Sequence, residues 1–142
     1  MKPEEKLHKL EPLPGIPPSF ELREFKYDGN LLVRLQDPNY NSSPTLTIYS
    51  GAPFSVRMTT KFAKPISSYD LDKALVDLRK EPEYEFKWSL FTVENSRYVE
   101  WFNEQSVGIK RDIDIAHYLI FTPNEVIELL DTEDPQPTMM WY

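Results

Sequence analysis

The chain has 142 residues and a net charge of -7. That is the length of one domain, and its acidity opposes nucleic acid, which is held mainly by Lys and Arg neutralising phosphates. The absence of cysteine excludes disulfides, thiolate metal sites and cysteine nucleophiles, and fits a reducing compartment. Hydrophobic residues make up 40% of the chain and include 8 Phe, 8 Tyr and 3 Trp, enough to build one core despite a mean hydropathy of -0.52.

Residues 1–18 carry Pro3, Pro12, Pro14, Pro17 and Pro18 and are expected to form an extended, polyproline-like arm, with Leu7, Leu10, Leu13 and Ile16 available to lie along a domain spanning 19–131. Residues 19–27 read as a strand in which Phe20 and Leu22 hold one phase and Phe25 and Tyr27 the other, so a bulge is expected near Arg23 and Glu24. Asp28-Gly29-Asn30 is a hairpin turn, and Leu31, Val33 and Leu35 alternate on the return strand. After a polar loop over 37–44, strands are expected over 45–49 and 54–62. The first half therefore reads as a meander of antiparallel strands paired in sequence order.

The second half changes period. Ser67 or Ser68 can cap a helix through Lys80, with Leu71, Leu75 and Leu78 on one stripe. Tyr84, Phe86, Trp88 and Leu90 alternate along a strand to about Val93. Asn95 or Ser96 can cap a helix from Arg97 to Ser106, closed by Gly108. Residues 115–121 form a continuous apolar run broken by His117, the pattern of a central strand covered on both faces. Thr122-Pro123-Asn124-Glu125 has the form of a capping box and predicts a short helix through Leu130. An acidic, aromatic tail over 132–142 ends in Met139-Met140-Trp141-Tyr142. The expected fold is a single α+β domain: an antiparallel β meander followed by helices packed on the sheet.

Few residues suggest chemistry. With four glycines, Gly15, Gly29, Gly51 and Gly108, glycine-rich phosphate loops are excluded, and no GxSxG or SxxK motif occurs. His8 and His117 lack the close spacing of a metal pair, and His117, inside an apolar strand, reads as a hydrogen-bonded structural histidine. The pairs Glu100/Glu104 and Asp112/Asp114 do not by themselves make the two-carboxylate cleft of a glycosidase. No catalytic residue, metal or cofactor is expected, and the chain reads as a non-enzyme.

Charge is the more informative pattern. Residues 1–18 are neutral overall, 19–82 carry a net +1, and 83–142 hold four basic against twelve acidic residues. A one-sided distribution of this kind steers a cationic partner. Acids and amphipathic rings come together at Glu94, Tyr98, Glu100, Trp101 and Glu104, followed by Asp112 and Asp114, and these seven are the candidate partner-binding residues.

The stretches Glu94-Asn95-Ser96-Arg97-Tyr98-Val99-Glu100-Trp101-Phe102 and His117-Tyr118-Leu119-Ile120-Phe121-Thr122-Pro123-Asn124-Glu125-Val126-Ile127-Glu128-Leu129-Leu130 resemble the immunity proteins, small bacterial α+β proteins encoded beside polymorphic or contact-dependent toxins. The resemblance covers roughly the last 50 residues. It implies a cytoplasmic protein that neutralises one cognate cationic toxin domain, often a nuclease, by direct binding, and it transfers no binding residue by position. The expected partner is a basic protein, with neither nucleic acid nor membrane involved and the chain a monomer or weak homo-oligomer. The alternative is a self-associating structural or assembly subunit of a bacterial or phage complex, joined through a strand edge or the C-terminal tail.

Overall fold

A computed structural model of the chain describes residues 3–11, 17, 20–37, 45–60, 88–106, 114–122, 124–132 and 137–141. Nine strands and one helix are described: β1 (Lys6–Lys9), β2 (Glu21–Tyr27), β3 (Leu31–Gln36), β4 (Thr45–Ser50), β5 (Ser55–Thr60), β6 (Leu90–Glu94), α1 (Arg97–Gln105), β7 (Ile115–Phe121), β8 (Glu125–Thr132) and β9 (Thr138–Trp141). They form two antiparallel sheets, one of order β1-β6-β7-β8-β5 and one of order β2-β3-β4-β9.

This corrects the expected meander followed by helices. The strands β2, β3 and β4 do pair in sequence order, but the chain then leaves that sheet, and β5 pairs instead with β8, Val56 opposite Leu129 and Arg57 opposite Glu128. Among the described residues the second half adds four strands and one helix rather than a layer of helices. The expected helix at 67–80 lies outside the described residues.

The largest single misreading is the segment after Thr122, which is a strand and not a helix. One capping-box contact does form, the Thr122 hydroxyl accepting from the Glu125 backbone N–H at 2.9 Å, and the same hydroxyl and its backbone N–H hold Glu125 in two further bonds. Here they close a hairpin, in which the Thr122 N–H donates to the Glu125 carbonyl at 3.0 Å and Phe121 sits opposite Val126. The run Val126-Ile127-Glu128-Leu129-Leu130 satisfies a helical stripe, yet it also fits a strand covered on both faces. The β-branched Val126 and Ile127 favour the second.

Three local signals agree with the structure, whereas the strand expected from Tyr84 is described only from Leu90. The register of β2 on β3 shifts between Leu22 and Glu24, where the change of phase puts a bulge. Gly29 turns the hairpin with φ 100, a conformation that costs glycine little. The helix α1 begins at Arg97, with Ser96 as its N-cap.

The two sheets pack through one cluster. Leu31, Val33, Leu35, Leu46 and Ile48 contribute from one side and Leu90, Tyr118, Ile120, Ile127 and Leu129 from the other, and each such aliphatic contributes about 1.5–3 kcal/mol on burial. A second cluster, Leu7, Phe91, Val93 and Leu119, lies on the far face of the five-stranded sheet, because side chains alternate along β6 and β7. That is why β7 reads as an apolar run broken only by His117.

Strands from outside the 19–131 segment complete both sheets. β1 pairs with β6, and β9 pairs with β4, with Trp141 edge-on to Phe20 at 5.8 Å. Among the described residues no helix is long and apolar enough to cross a membrane.

Candidate functional site

The sequence turns from strand to helix at Glu94-Asn95-Ser96-Arg97, and this corner organises the polar centre of the molecule. Asn95 has φ 59, a left-handed conformation that asparagine tolerates better than most residues. The turn presents the Ser96 hydroxyl to the first turn of α1, where it accepts from the Val99 backbone N–H at 3.1 Å. The same oxygen lies 2.7 Å from His117 Nδ1.

From His117 the chain of bonds continues inward. His117 Nε2 is 2.7 Å from Glu128 Oε2, and both side chains are 1% exposed. Arg57, directly opposite Glu128 on β5, closes the other side with a two-pronged bond, Nε to Oε1 at 2.9 Å and Nη2 to Oε2 at 3.0 Å. The guanidinium lies 3.9 Å from the centroid of the Tyr98 ring, which in turn stands edge-on to His117 at 5.3 Å. The Tyr98 hydroxyl bonds to Ser55 at 2.5 Å.

Every group in this relay has a partner. With the imidazole proton on Nε2, His117 donates to Glu128 and accepts at Nδ1 from the Ser96 hydroxyl, which itself accepts from Val99. Burial pushes the Glu128 carboxyl up, but the bonds from His117 and Arg57 and the charge of Arg57 outweigh it, so the group sits below its ordinary 4.5. Burial raises Tyr98 above its ordinary 10.0, with the Ser55 bond and the Arg57 charge opposing.

A serine hydroxyl bonded to an imidazole bonded to a carboxylate is the arrangement of a nucleophilic serine. Here it is sealed. Ser96 is 7% and His117 2% exposed, the serine oxygen is occupied by the helix cap, and the first helical N–H, that of Arg97, is taken by the Glu5 carboxylate at 2.6 Å. The relay fastens the inner face of α1 to β5, β7 and β8.

Of the expected partner-binding residues, Tyr98 is buried, at 3% exposure, and belongs to this relay. Trp101 projects outward, 50% exposed, with its ring 6.0 Å from that of Tyr98. Glu104, one turn on, is exposed, as is Asp114 just before β7. Glu100 pairs with Arg97 at 3.3 Å. Glu94, at the end of β6, bonds to His8 at 2.8 Å, and that bond and the nearby positive charge hold its carboxyl below the ordinary value. Asp112 lies outside the described residues.

Among the described residues, most acids of the C-terminal half are engaged within the fold. Glu94, Glu100 and Glu128 are paired with His8, Arg97, and Arg57 with His117. Glu125 is bound by Thr122, and Asp131 by Ser50.

Sequence reasoning missed Ser55, Arg57, Ser96 and Glu128 as a set. The available signal was a charged residue in the middle of an apolar run at Glu128, which requires a buried partner. No family model matches the chain, and no curated protein or solved structure is significantly similar to it.

Proposed function

We propose that the chain is a non-enzymatic binding protein, an immunity protein of the toxin-neutralising kind its second half resembles, which acts in the bacterial cytoplasm and offers the outer face of α1 to a basic protein partner. The observation that carries this reading is Trp101, half exposed on a helix whose inner face is pinned by hydrogen bonds from Tyr98 and Ser96. A large ring held rigidly at the surface contributes contact area with little entropy to lose, the usual property of an interface anchor.

Charge supports the same choice on a smaller scale. Glu104 stands one turn from Trp101 and is exposed, so the outer face of α1 joins an aromatic anchor to a negative group, complementary to Lys or Arg on the partner. Recognition in this reading belongs to the helix, since most of the described acids of the second half are used inside the fold.

The test is calorimetry against the protein encoded by the adjacent reading frame. Trp101→Ala is expected to weaken binding by about 2 kcal/mol or more, the cost of losing a hot spot. Glu104→Lys is expected to slow association and flatten its salt dependence. Wild-type affinity in both variants removes α1 from the interface, and a neighbour that does not bind the wild-type chain at all removes the toxin-neutralising reading.

A further inference from the structure

β9 is an edge strand. Among the described residues its one strand neighbour is β4, with Leu46 opposite Trp141, Thr47 opposite Met140, Ile48 opposite Met139 and Tyr49 opposite Thr138. Leu46 and Ile48 are buried in the cluster between the sheets, so Met139 and Trp141 face inward and pack against it, each only partly covered. Side chains alternate along a strand, which puts Met140 on the outer face beside its diagonal neighbour Tyr49. Both are exposed, Met140 at 48% and Tyr49 at 44%.

An open edge invites pairing, and charge is a common protection against it. The other edge strands have that protection: β1 carries Lys6, His8 and Lys9, β2 carries Glu21, Arg23, Glu24 and Lys26 together with its bulge, and β5 carries Arg57. β9, with the sequence Thr138-Met139-Met140-Trp141, carries no charge. We infer that β9 pairs antiparallel with β9 of a second copy of the chain, about a two-fold axis at Met140, joining the two four-stranded sheets into one continuous sheet.

The strand matches its own copy on both faces. A two-fold axis perpendicular to the sheet pairs positions that share a face, and with Met140 at the centre it sets Met140 opposite Met140 outside and Met139 opposite Trp141 inside, so these facing pairs are all apolar. Met139 and Trp141 end the core of each copy at the open edge. Pairing lays the thioether of one against the indole of the other, a favourable sulfur–aromatic contact, and runs the two cores together. The contact is isologous, uses the edge on both copies and closes at two. A foreign strand would satisfy the backbone; the identical strand also satisfies the side chains. This inference is independent of what α1 binds.

Four residues from each copy make a short contact, so the association is expected to be weak, with a Kd of about 0.1–1 mM. Sedimentation of the full chain is expected to show mainly monomer at about 10 µM and substantial dimer at about 1 mM. Each chain has a net charge of -7, so the dimer should tighten as salt screens their repulsion, the opposite of an interface with a basic partner. Met140→Lys sets two cations across the axis and is expected to abolish the dimer with little change in melting temperature, because the side chain is half in water. In a chain without cysteine, Met140→Cys places a thiol opposite its own copy at a separation a disulfide spans. It is expected to link dimers at least about tenfold faster than Lys26→Cys, which lies on the same outer face at the opposite edge of the sheet. A strict monomer at about 1 mM, a dimer that persists in Met140→Lys or loosens with salt, or equal linking rates in the two cysteine variants overturns the proposal.

Discussion

His117 and Glu128 are diagonal neighbours on β7 and β8, Nε2 to Oε2 at 2.7 Å, each side chain 1% exposed. Arg57 engages both oxygens of the same carboxylate, so a single buried anion serves two donors from two neighbouring strands. An arrangement of this kind is costly to break and cheap to replace, because desolvation of the ions offsets much of their attraction while a lone survivor has no compensation.

Glu128→Leu alone is therefore expected to destabilise the fold by about 3–5 kcal/mol, since it leaves Arg57 without its main partner and His117 without its acceptor. Adding Arg57→Met should return a large part of that loss, a non-additivity readable from urea midpoints of the single and double variants. Additive losses would show that the two residues do not act as a pair.

The acid limb of the stability curve follows from the same carboxylate. Its folded value is depressed below the ordinary 4.5, so its contribution is fully present above the unfolded value and is lost as pH falls through the folded one. Wild-type stability should decline as pH drops below about 4.5, and Glu128→Gln, less stable at neutral pH, should decline less in that window. Glu94 is also depressed, but its side chain is 52% exposed and solvent screens the pair with His8, so Glu94→Gln should leave the curve nearly unchanged.

How much of this was legible from the residues varies with the kind of signal. The bulge near Arg23, the turn at Gly29, the cap at Ser96 and the two-faced burial of β7 each rest on local backbone or side-chain chemistry, which short stretches encode. The alternation of Leu31, Val33 and Leu35 likewise marks the inner face of β3. The fold class was misread at Thr122-Pro123-Asn124-Glu125, because a bond from the Glu125 N–H to the Thr122 hydroxyl serves either a helix start or a hairpin, and only the pairing of Val126 with Phe121 decides. β1 and β9 were hidden for a related reason: each is four residues long and is a strand by virtue of its neighbour. In the candidate site, periodicity identified α1 but not which ring of Tyr98 and Trp101 faces inward, since that depends on Arg57 and Ser55, more than forty positions away.

Ser96 joins two functions that a single substitution removes together. Ser96→Ala removes both the cap on Val99 and the partner of His117 Nδ1, and the expected loss is about 2–3 kcal/mol, above the ~1 kcal/mol typical of a cap alone because a buried acceptor is left unpaired. Ser96→Thr keeps the hydroxyl and should recover most of it. Hydrogen exchange should show the increase concentrated in the first turn of α1 in the alanine variant, whereas a uniform increase across the sheets would mean that the serine supports the whole fold rather than the helix.

The two rings on α1 predict opposite outcomes for the same substitution. Tyr98 is buried, stacked by Arg57, edge-on to His117 and bonded to Ser55, so Tyr98→Ala opens a cavity and orphans polar groups, with an expected loss of about 3–5 kcal/mol. Trp101 has half its surface in water, and its removal should cost under about 1 kcal/mol of stability, the scale of a surface change. If thermal melts find Trp101→Ala as damaging as Tyr98→Ala, the indole is part of the structural core and the outer face of α1 loses its claim to be the docking element. A small stability change together with a large loss of partner affinity separates presentation from packing, the division of labour that the pinned helix implies.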